Sequence, residues 1–215
     1  MNVRTVLASF LVLGIALAAP APAAAHRLDE YLQATRLSVD VDRVGLEIDL
    51  TAGVHVAPGV FGWIDANRDG EVSDAEAKAY ARQLLRSVTL SLDNRPLPVV
   101  FLDIRVPPFD EMSVGVGTIR VRATANVPDP GSGRHRLSYV NTHRSESSVY
   151  LVNVLAPSDH RIHIGGQQRD SAQHELTFDY DIAADASWHR VWWVLVGLAM
   201  VGVLGVTRRP RTASA

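Results

Sequence analysis

The 215-residue chain contains no cysteine, which excludes a disulfide framework, a thiolate metal site and a cysteine nucleophile. It also lacks an excess of positive charge. Its formal net charge of −2 excludes a strongly basic nucleic-acid-binding protein, so we expect no nucleic-acid partner. Hydrophobic residues make up 47% of the chain, which is enough for a globular core. Long apolar runs are missing between residues 26 and 187 and occur only at the two ends.

The N-terminal end has the layout of a secretory signal peptide. Arg4 precedes an apolar run over residues 6–19, and a Pro/Ala stretch then ends in Ala23, Ala24 and Ala25. A basic start, a short apolar core and a small-residue cleavage site are the three parts of such a signal. We predict a signal peptide over residues 1–25 that leaves His26 as the mature N-terminus. A retained signal anchor is the alternative.

The C-terminal end predicts a single transmembrane helix over residues 188–207. Residues 191–207 carry no charge and are apolar on all sides, which a buried helix of a soluble domain fits poorly. Trp188, Trp192 and Trp193 suit the aqueous interface, and Arg208 begins a basic tail that favours the cytoplasm. The expected localisation is therefore a cell membrane, with the domain 26–187 outside the cytoplasm and the tail 208–215 inside.

The extracytoplasmic domain is predicted to be mainly β. Several segments alternate apolar and polar residues with period two, and turn residues separate them at regular intervals. This pattern predicts a β-sandwich, immunoglobulin-like in outline. The predicted strands cover residues 36–40, 44–50, 88–92, 99–105, 117–127, 136–141, 148–155, 161–164 and 174–182.

An insertion at residues 58–88 interrupts the β pattern and contains the clearest functional motif. Its residues 65–76 carry oxygen-bearing side chains at the first, third, fifth, ninth and twelfth positions and a glycine, Gly70, at the sixth. This stretch resembles an EF-hand calcium loop, in which the seventh residue contributes its backbone carbonyl. The resemblance implies one Ca²⁺ held by Asp65, Asn67, Asp69, Glu71, Ser73 and Glu76. A loop without metal is the alternative.

The segments that flank this loop differ in their helical signal. Ser73 and Glu76 form a capping-box pattern, and Tyr80, Leu84 and Leu85 follow at one-turn spacing, which predicts an exiting helix with one buried face. The entering segment 58–64 contains a proline and two glycines, and we expect at most a short turn of helix there.

The sequence favours a structural calcium ion over a calcium sensor. Sensors of the calmodulin type open a pair of helices to expose a Met-rich groove, whereas this chain has three methionines and a single loop. Loops in extracellular modules bind calcium weakly, at about 10⁻⁴–10⁻³ M. Magnesium prefers an octahedral shell with retained waters and is the less suitable ion.

Histidine provides a second metal hypothesis. Cleavage after Ala25 would place the imidazole of His26 beside a free α-amine, a partial site for copper, nickel or cobalt. The remaining ligands would come from other histidines, and the sequence leaves open which of them lie close together. Those candidates are His55, His135, His143, His160, His163 and His174.

Three further segments resemble a family of bacterial membrane proteins. The stretches 26–35, 148–153 and 167–170 look like exported domains of proteins that lie near, or are fused to, nickel/cobalt permease-like or hydrogenase/urease-accessory-type membrane modules. This chain has one predicted helix in place of a permease bundle. The resemblance therefore implies an accessory role beside a membrane-protein partner and excludes transport by this chain alone.

Enzyme signatures are absent from the sequence, which has neither a G-x-S-x-G elbow nor an H-E-x-x-H pair. We expect no enzyme activity. The sequence predicts a calcium-binding, membrane-anchored extracytoplasmic binding or accessory module. A transition-metal accessory protein that uses His26 and a metal-independent protein-interaction ectodomain are the two alternatives.

Overall fold

The computed structural model describes residues 29–184, and within them two five-stranded sheets pack face to face. The predicted terminal segments 1–25 and 188–207, and His26, lie outside these residues. No helix within 29–184 is long and apolar enough to cross a bilayer. The elements in chain order are β1 (Tyr31–Val39), β2 (Arg43–Ala52), α1 (Ala57–Ile64), α2 (Asp74–Arg86), β3 (Val88–Leu92), β4 (Arg95–Pro96), β5 (Val100–Arg105), α3 (Phe109–Ser113), β6 (Thr118–Asn126), β7 (Gly133–Asn141), β8 (Ser148–Val154), β9 (Ile162–Arg169) and β10 (Glu175–Ile182).

The two sheets confirm the prediction of a mainly β fold with a sandwich arrangement. The first sheet has the strand order β5-β6-β2-β1-β8, and the second has the order β4-β3-β7-β10-β9. Strand pairs are antiparallel except for β1 and β8, which run parallel with Tyr31 opposite Ser148. In this strand order, β1 lies inside the first sheet, between β2 and β8.

The core lies between the two sheets because the strands alternate buried and partly exposed residues. In β2 the inward positions are Val44, Leu46, Ile48 and Leu50, each at most 3% exposed. Strands β7 and β10 supply the facing layer with buried leucine, tyrosine and phenylalanine side chains. This period-two burial is the physical basis of the alternation seen in the sequence.

The insertion between β2 and β3 is a helix–loop–helix. Ser73 caps α2 through the predicted capping box, and Tyr80, Leu84 and Leu85 are buried on its inner face. The prediction for the entering segment was wrong, because α1 spans eight residues, or about two turns. Its proline lies in the first turn, where a missing N–H costs nothing, and burial of Val60 and Ile64 outweighs the two glycines.

A further short helix lies between β5 and β6. Helix α3 begins after Pro108 and buries Met112 completely. The chain then returns to β6 through Gly117, where a Cβ atom would lie 2.7 Å from the backbone nitrogen of Met112. Glycine is required at this position because the backbone of α3 passes so closely.

The sandwich has two distinct ends, which we call the loop end and the turn end. The loop end contains the start of β1, the end of β2, the end of β7 and the helical insertion. The turn end contains the β1–β2 turn at 40–42, the start of β7 and the end of β10, where Ile182 lies opposite Gly133. The strands between the two ends have up to 10 residues, a separation of about 30 Å.

Candidate metal centre

Asp65 begins the candidate calcium loop and is the carboxylate around which the loop folds. It follows the last residue of α1, donates its N–H to the Phe61 carbonyl and is 5% exposed. Its two carboxylate oxygens accept backbone hydrogen bonds from Asp69 at 3.2 Å and Gly70 at 3.0 Å. Gly70 has φ +87°, a conformation that glycine adopts at little cost and that turns the chain back over Asp65.

Asn67 and Asp69 occupy the third and fifth positions and hold each other in place. The Asn67 amide donates to the Asp69 carboxylate at 2.8 Å, and the Asn67 side-chain oxygen accepts from the Asp69 N–H at 2.9 Å. The other Asp69 oxygen accepts from the Glu71 N–H at 2.9 Å. Short side-chain-to-backbone bonds of this kind are typical of Asn and Asp in tight turns.

Glu76, at the twelfth position, connects both ends of the loop. One carboxylate oxygen accepts from the N–H groups of Ala66 and Asn67, and the other accepts from the N–H and hydroxyl of Ser73. The hydrogen bond from the Ser73 hydroxyl, with those from the backbone, lowers the pKa of Glu76 to about 2. Glu76 is therefore ionised at neutral pH and fixed beside the start of the loop.

The four hydrogen bonds to Glu76 have a consequence for ion binding. An ionised carboxylate offers about four acceptor positions, and Glu76 uses all of them on neutral donors. Among residues 29–184, no three His, Asp or Glu side chains are grouped as metal ligands. Bidentate coordination by Glu76 therefore requires its carboxylate to exchange some of these hydrogen bonds for the ion.

The seventh, eighth and ninth residues of the loop have different roles. Glu71 is exposed, and the role that we predicted for it uses its carbonyl oxygen and leaves its side chain free. Val72, the eighth residue, packs against the hydrophobic core and attaches the loop to the sandwich. Ser73 serves as the N-cap of α2, accepting from the Glu76 N–H at 3.3 Å. The ninth position therefore starts the exiting helix.

Three histidines in the described part of the chain, His135, His143 and His174, have separate partners. His135 lies 2.8 Å from Asp93, and His174 lies 2.8 Å from Asp170, in each case through Nδ1. His143 contacts the Tyr80 hydroxyl through Nε2 at 3.2 Å. Since no ligand cluster includes these side chains, residues 29–184 contain no assembled transition-metal site.

Sequence reasoning missed a buried polar network beside the loop. The Tyr31 and Tyr80 hydroxyls lie 2.6 Å apart, and Tyr80 in turn contacts His143. Burial, together with the charge of Arg144, lowers the pKa of His143 to about 4, so this imidazole is neutral at physiological pH. The periodicity of α2 indicated that Tyr80 faces inward, but no local pattern indicates partners 49 and 63 residues away.

Aromatic contacts connect the entering helix to the same network. Trp63, two residues before Asp65, lies edge-on to Tyr31 with ring centroids 5.9 Å apart. The Arg144 guanidinium carbon lies 4.1 Å from the centre of the Trp63 ring. The two helices that flank the candidate calcium loop therefore pack on one group of side chains, Tyr31, His143 and Arg144.

Comparison with protein-family models finds no family that matches this chain. A comparison with curated proteins likewise finds no significantly similar relative.

Proposed function

We propose that this chain is a calcium-binding, membrane-anchored extracytoplasmic module with a binding or accessory role at a membrane protein. The anchor is the helix predicted over 188–207, and the N-terminal signal is the segment 1–25. The proposal also includes an immunoglobulin-like outline for the sandwich and an EF-hand-like character for its insertion. The module carries no enzyme activity in this scheme.

The arrangement around Asp65 is the observation that supports calcium best. A carboxylate that is 5% exposed is normally paired with a cation or with several donors, because burial of an unpaired charge is costly. Asp65 has two backbone donors and no cationic side chain within ion-pair distance among residues 29–184. Asn67 and Asp69 lie beside it on the same turn of the loop, so oxygen donors of the type that Ca²⁺ prefers surround this position.

A structural role for the ion follows from where the loop is attached. Helices α1 and α2 both bury apolar side chains in the sandwich core, and Val72 packs there as well. An ion that bridges Asp65, at the end of α1, and Glu76, in the first turn of α2, would hold the two helices at a fixed separation. Calcium would then stabilise the loop end of the domain.

Thermal unfolding of the purified full-length chain in detergent tests this proposal. With a Kd of about 10⁻⁴–10⁻³ M, 10 mM Ca²⁺ should stabilise the folded state by about 1.4–2.7 kcal/mol, observed as a rise in Tm. The rise should disappear in Asp65→Asn and Glu76→Gln. Asp74→Asn is the matched control, because Asp74 is an exposed acid on the same segment and outside the ligand positions. An equal rise with Mg²⁺, or no rise with Ca²⁺, would contradict the proposal.

The same measurement addresses the transition-metal alternative. A rise in Tm with Ni²⁺, Co²⁺ or Cu²⁺ that is abolished by an extra residue before His26 would replace calcium with N-terminal metal binding as the function. If neither type of ion changes the Tm, the metal-independent interaction ectodomain becomes the leading description.

A further inference from the structure

The β7–β8 turn at residues 142–147 holds Arg144 in an unusual backbone conformation. Arg144 has φ +53°, a left-handed geometry that costs a side-chain-bearing residue free energy. The turn is fixed before Arg144 by the His143 carbonyl, which accepts from Gln33 and from the Tyr150 hydroxyl, each at 2.7 Å. It is fixed after Arg144 by the Ser147 N–H, which donates to the Arg144 carbonyl at 3.0 Å. The structure therefore holds this side chain at one defined place.

The guanidinium of Arg144 lies over the Trp63 ring and has no anionic partner among residues 29–184. It is stacked on the Trp63 ring, its Nε atom is buried, and that atom has no hydrogen-bond partner among residues 29–184. Within the same residues no carboxylate forms an ion pair with it, although Glu146 lies on the same turn. A buried guanidinium nitrogen without an acceptor costs more free energy than one that is hydrogen-bonded.

The other partly buried arginines among residues 29–184 have carboxylate acceptors. Arg36 contacts Glu47 and Asp49, and Arg161 contacts Asp159 at 2.6 Å. Arg144 differs from them, and it lies at the loop end, beside the helix that leads into the candidate calcium loop.

We propose that Arg144 is the recognition residue of an oxyanion-binding site at the loop end, which takes a ligand or partner through a carboxylate or phosphate group. Nε is buried, so the two Nη groups of this planar guanidinium, which lies over the Trp63 ring, are the donors available for two parallel hydrogen bonds to such a group. His143 is neutral at physiological pH, so it carries no positive charge that would bind the anion in place of Arg144. Burial raises the pKa values of the Tyr31 and Tyr80 hydroxyls, which therefore stay protonated and carry no negative charge that would pair with Arg144. This site is distinct from the proposed calcium site and does not require calcium.

The test uses ¹⁵N NMR of the full-length chain in detergent and follows the Nε–H signal of Arg144. This signal is assigned by its absence from the spectrum of Arg144→Lys. Inorganic phosphate and succinate are titrated separately at constant ionic strength, with chloride as the reference anion. We expect a saturable shift of this signal by phosphate, by succinate or by both, and the responding anion identifies the ligand group. Loss of the bidentate contact in Arg144→Lys should raise the Kd, followed on neighbouring backbone amide signals, by at least about tenfold.

Two further variants separate recognition from a merely structural role. Arg136→Lys is the matched control, because Arg136 is exposed, pairs with Asp179 and lies near the start of β7, towards the turn end, so its exchange should leave the Kd unchanged. Trp63→Phe keeps an aromatic ring and should weaken anion binding without unfolding the domain. The proposal is overturned if neither anion gives a saturable shift up to about 50 mM, or if Arg144→Lys and Arg136→Lys bind equally well.

Discussion

The loop end and the turn end of the sandwich treat buried polar groups differently, although Arg144 Nε, at the loop end, is also buried without a partner among residues 29–184. At the loop end, Gln33, Asn141 and His143 are each at most 3% exposed and bond to one another, with Gln33 accepting from the Asn141 amide at 3.0 Å. At the turn end, His135 Nε2 and the Tyr180 hydroxyl are buried without a hydrogen-bond partner in the described part of the chain.

This difference indicates which polar groups maintain the structure. A satisfied network in a low-dielectric interior fixes the geometry of the elements that it joins, whereas an unsatisfied group only adds a desolvation cost. The satisfied network joins β1, β7 and the 142–147 turn beside the candidate calcium loop. We therefore expect substitutions at the loop end to cost stability, and equivalent substitutions at the turn end to cost little.

The largest effect is expected for Gln33→Leu. It removes a side chain that donates to the His143 carbonyl and Ser148 hydroxyl and accepts from Asn141, which leaves buried groups without partners. The free energy of unfolding should fall by about 2–3 kcal/mol, measured by urea denaturation. Gln168→Leu, at an exposed position of β9, is the control and should change stability by less than about 0.5 kcal/mol. Equal losses for both variants would contradict the comparison.

An effect of intermediate size is expected for two buried tyrosines that differ in whether the hydroxyl is hydrogen-bonded. The Tyr139 hydroxyl lies 2.8 Å from the Thr35 hydroxyl, whereas the Tyr180 hydroxyl has no partner among residues 29–184. Tyr139→Phe should destabilise the domain by about 1 kcal/mol, and Tyr180→Phe should leave stability unchanged or raise it by about 1 kcal/mol. Urea denaturation of both variants in parallel measures the difference. A loss of similar size in both would show that the turn-end hydroxyl is satisfied in solution.

The smallest effect concerns two partly exposed carboxylates whose pKa values are both lowered to about 2. The Ser73 hydroxyl and backbone donors lower the pKa of Glu76, whereas Arg161 lowers that of Asp159 at the turn end. Because each pKa is depressed in the folded state, the stabilisation is present above about pH 4.5 and is lost as the pH falls towards 2. Glu76→Gln and Asp159→Asn should each flatten the dependence of Tm on pH between pH 5 and 2.5.

Salt distinguishes the two carboxylates. Asp159 is paired with a charged guanidinium and Glu76 with neutral donors, so 0.5 M NaCl should weaken the contribution of Asp159 more strongly. A salt effect of equal size on both would indicate that a cationic group also acts on Glu76.

The sequence predicted the elements whose signal is local. The Ser73–Glu76 capping box and the alternation of β2 involve neighbouring residues, and both were confirmed. The first half of β1 was missed as a strand because Gln33 and Thr35 are polar residues that face inward, which hides the period-two pattern. Their burial depends on partners on β7 more than 100 residues away, at Asn141 and Tyr139.

The candidate site shows the same limit. Spacing alone indicated the candidate calcium loop at 65–76, which stays a prediction, whereas the two-turn helix α1 depends on the burial of Val60 and Ile64 and was underestimated. The stacking of Arg144 on Trp63 joins positions 81 residues apart, and neither residue lies in a recognisable motif. Tertiary packing therefore determines how the loop is connected to the rest of the domain.

Under the proposed anchoring, the separation of the two ends would determine which ions the candidate loop meets. Strand β10 ends at Ile182 on the turn end, so the bilayer would lie on that side and the candidate calcium loop would stand about 30 Å further out. The electrostatic potential of anionic headgroups decays over about 8 Å at physiological ionic strength. Cations that accumulate at the lipid surface would then be out of reach, and occupancy of the loop would follow the free calcium concentration of the surrounding fluid.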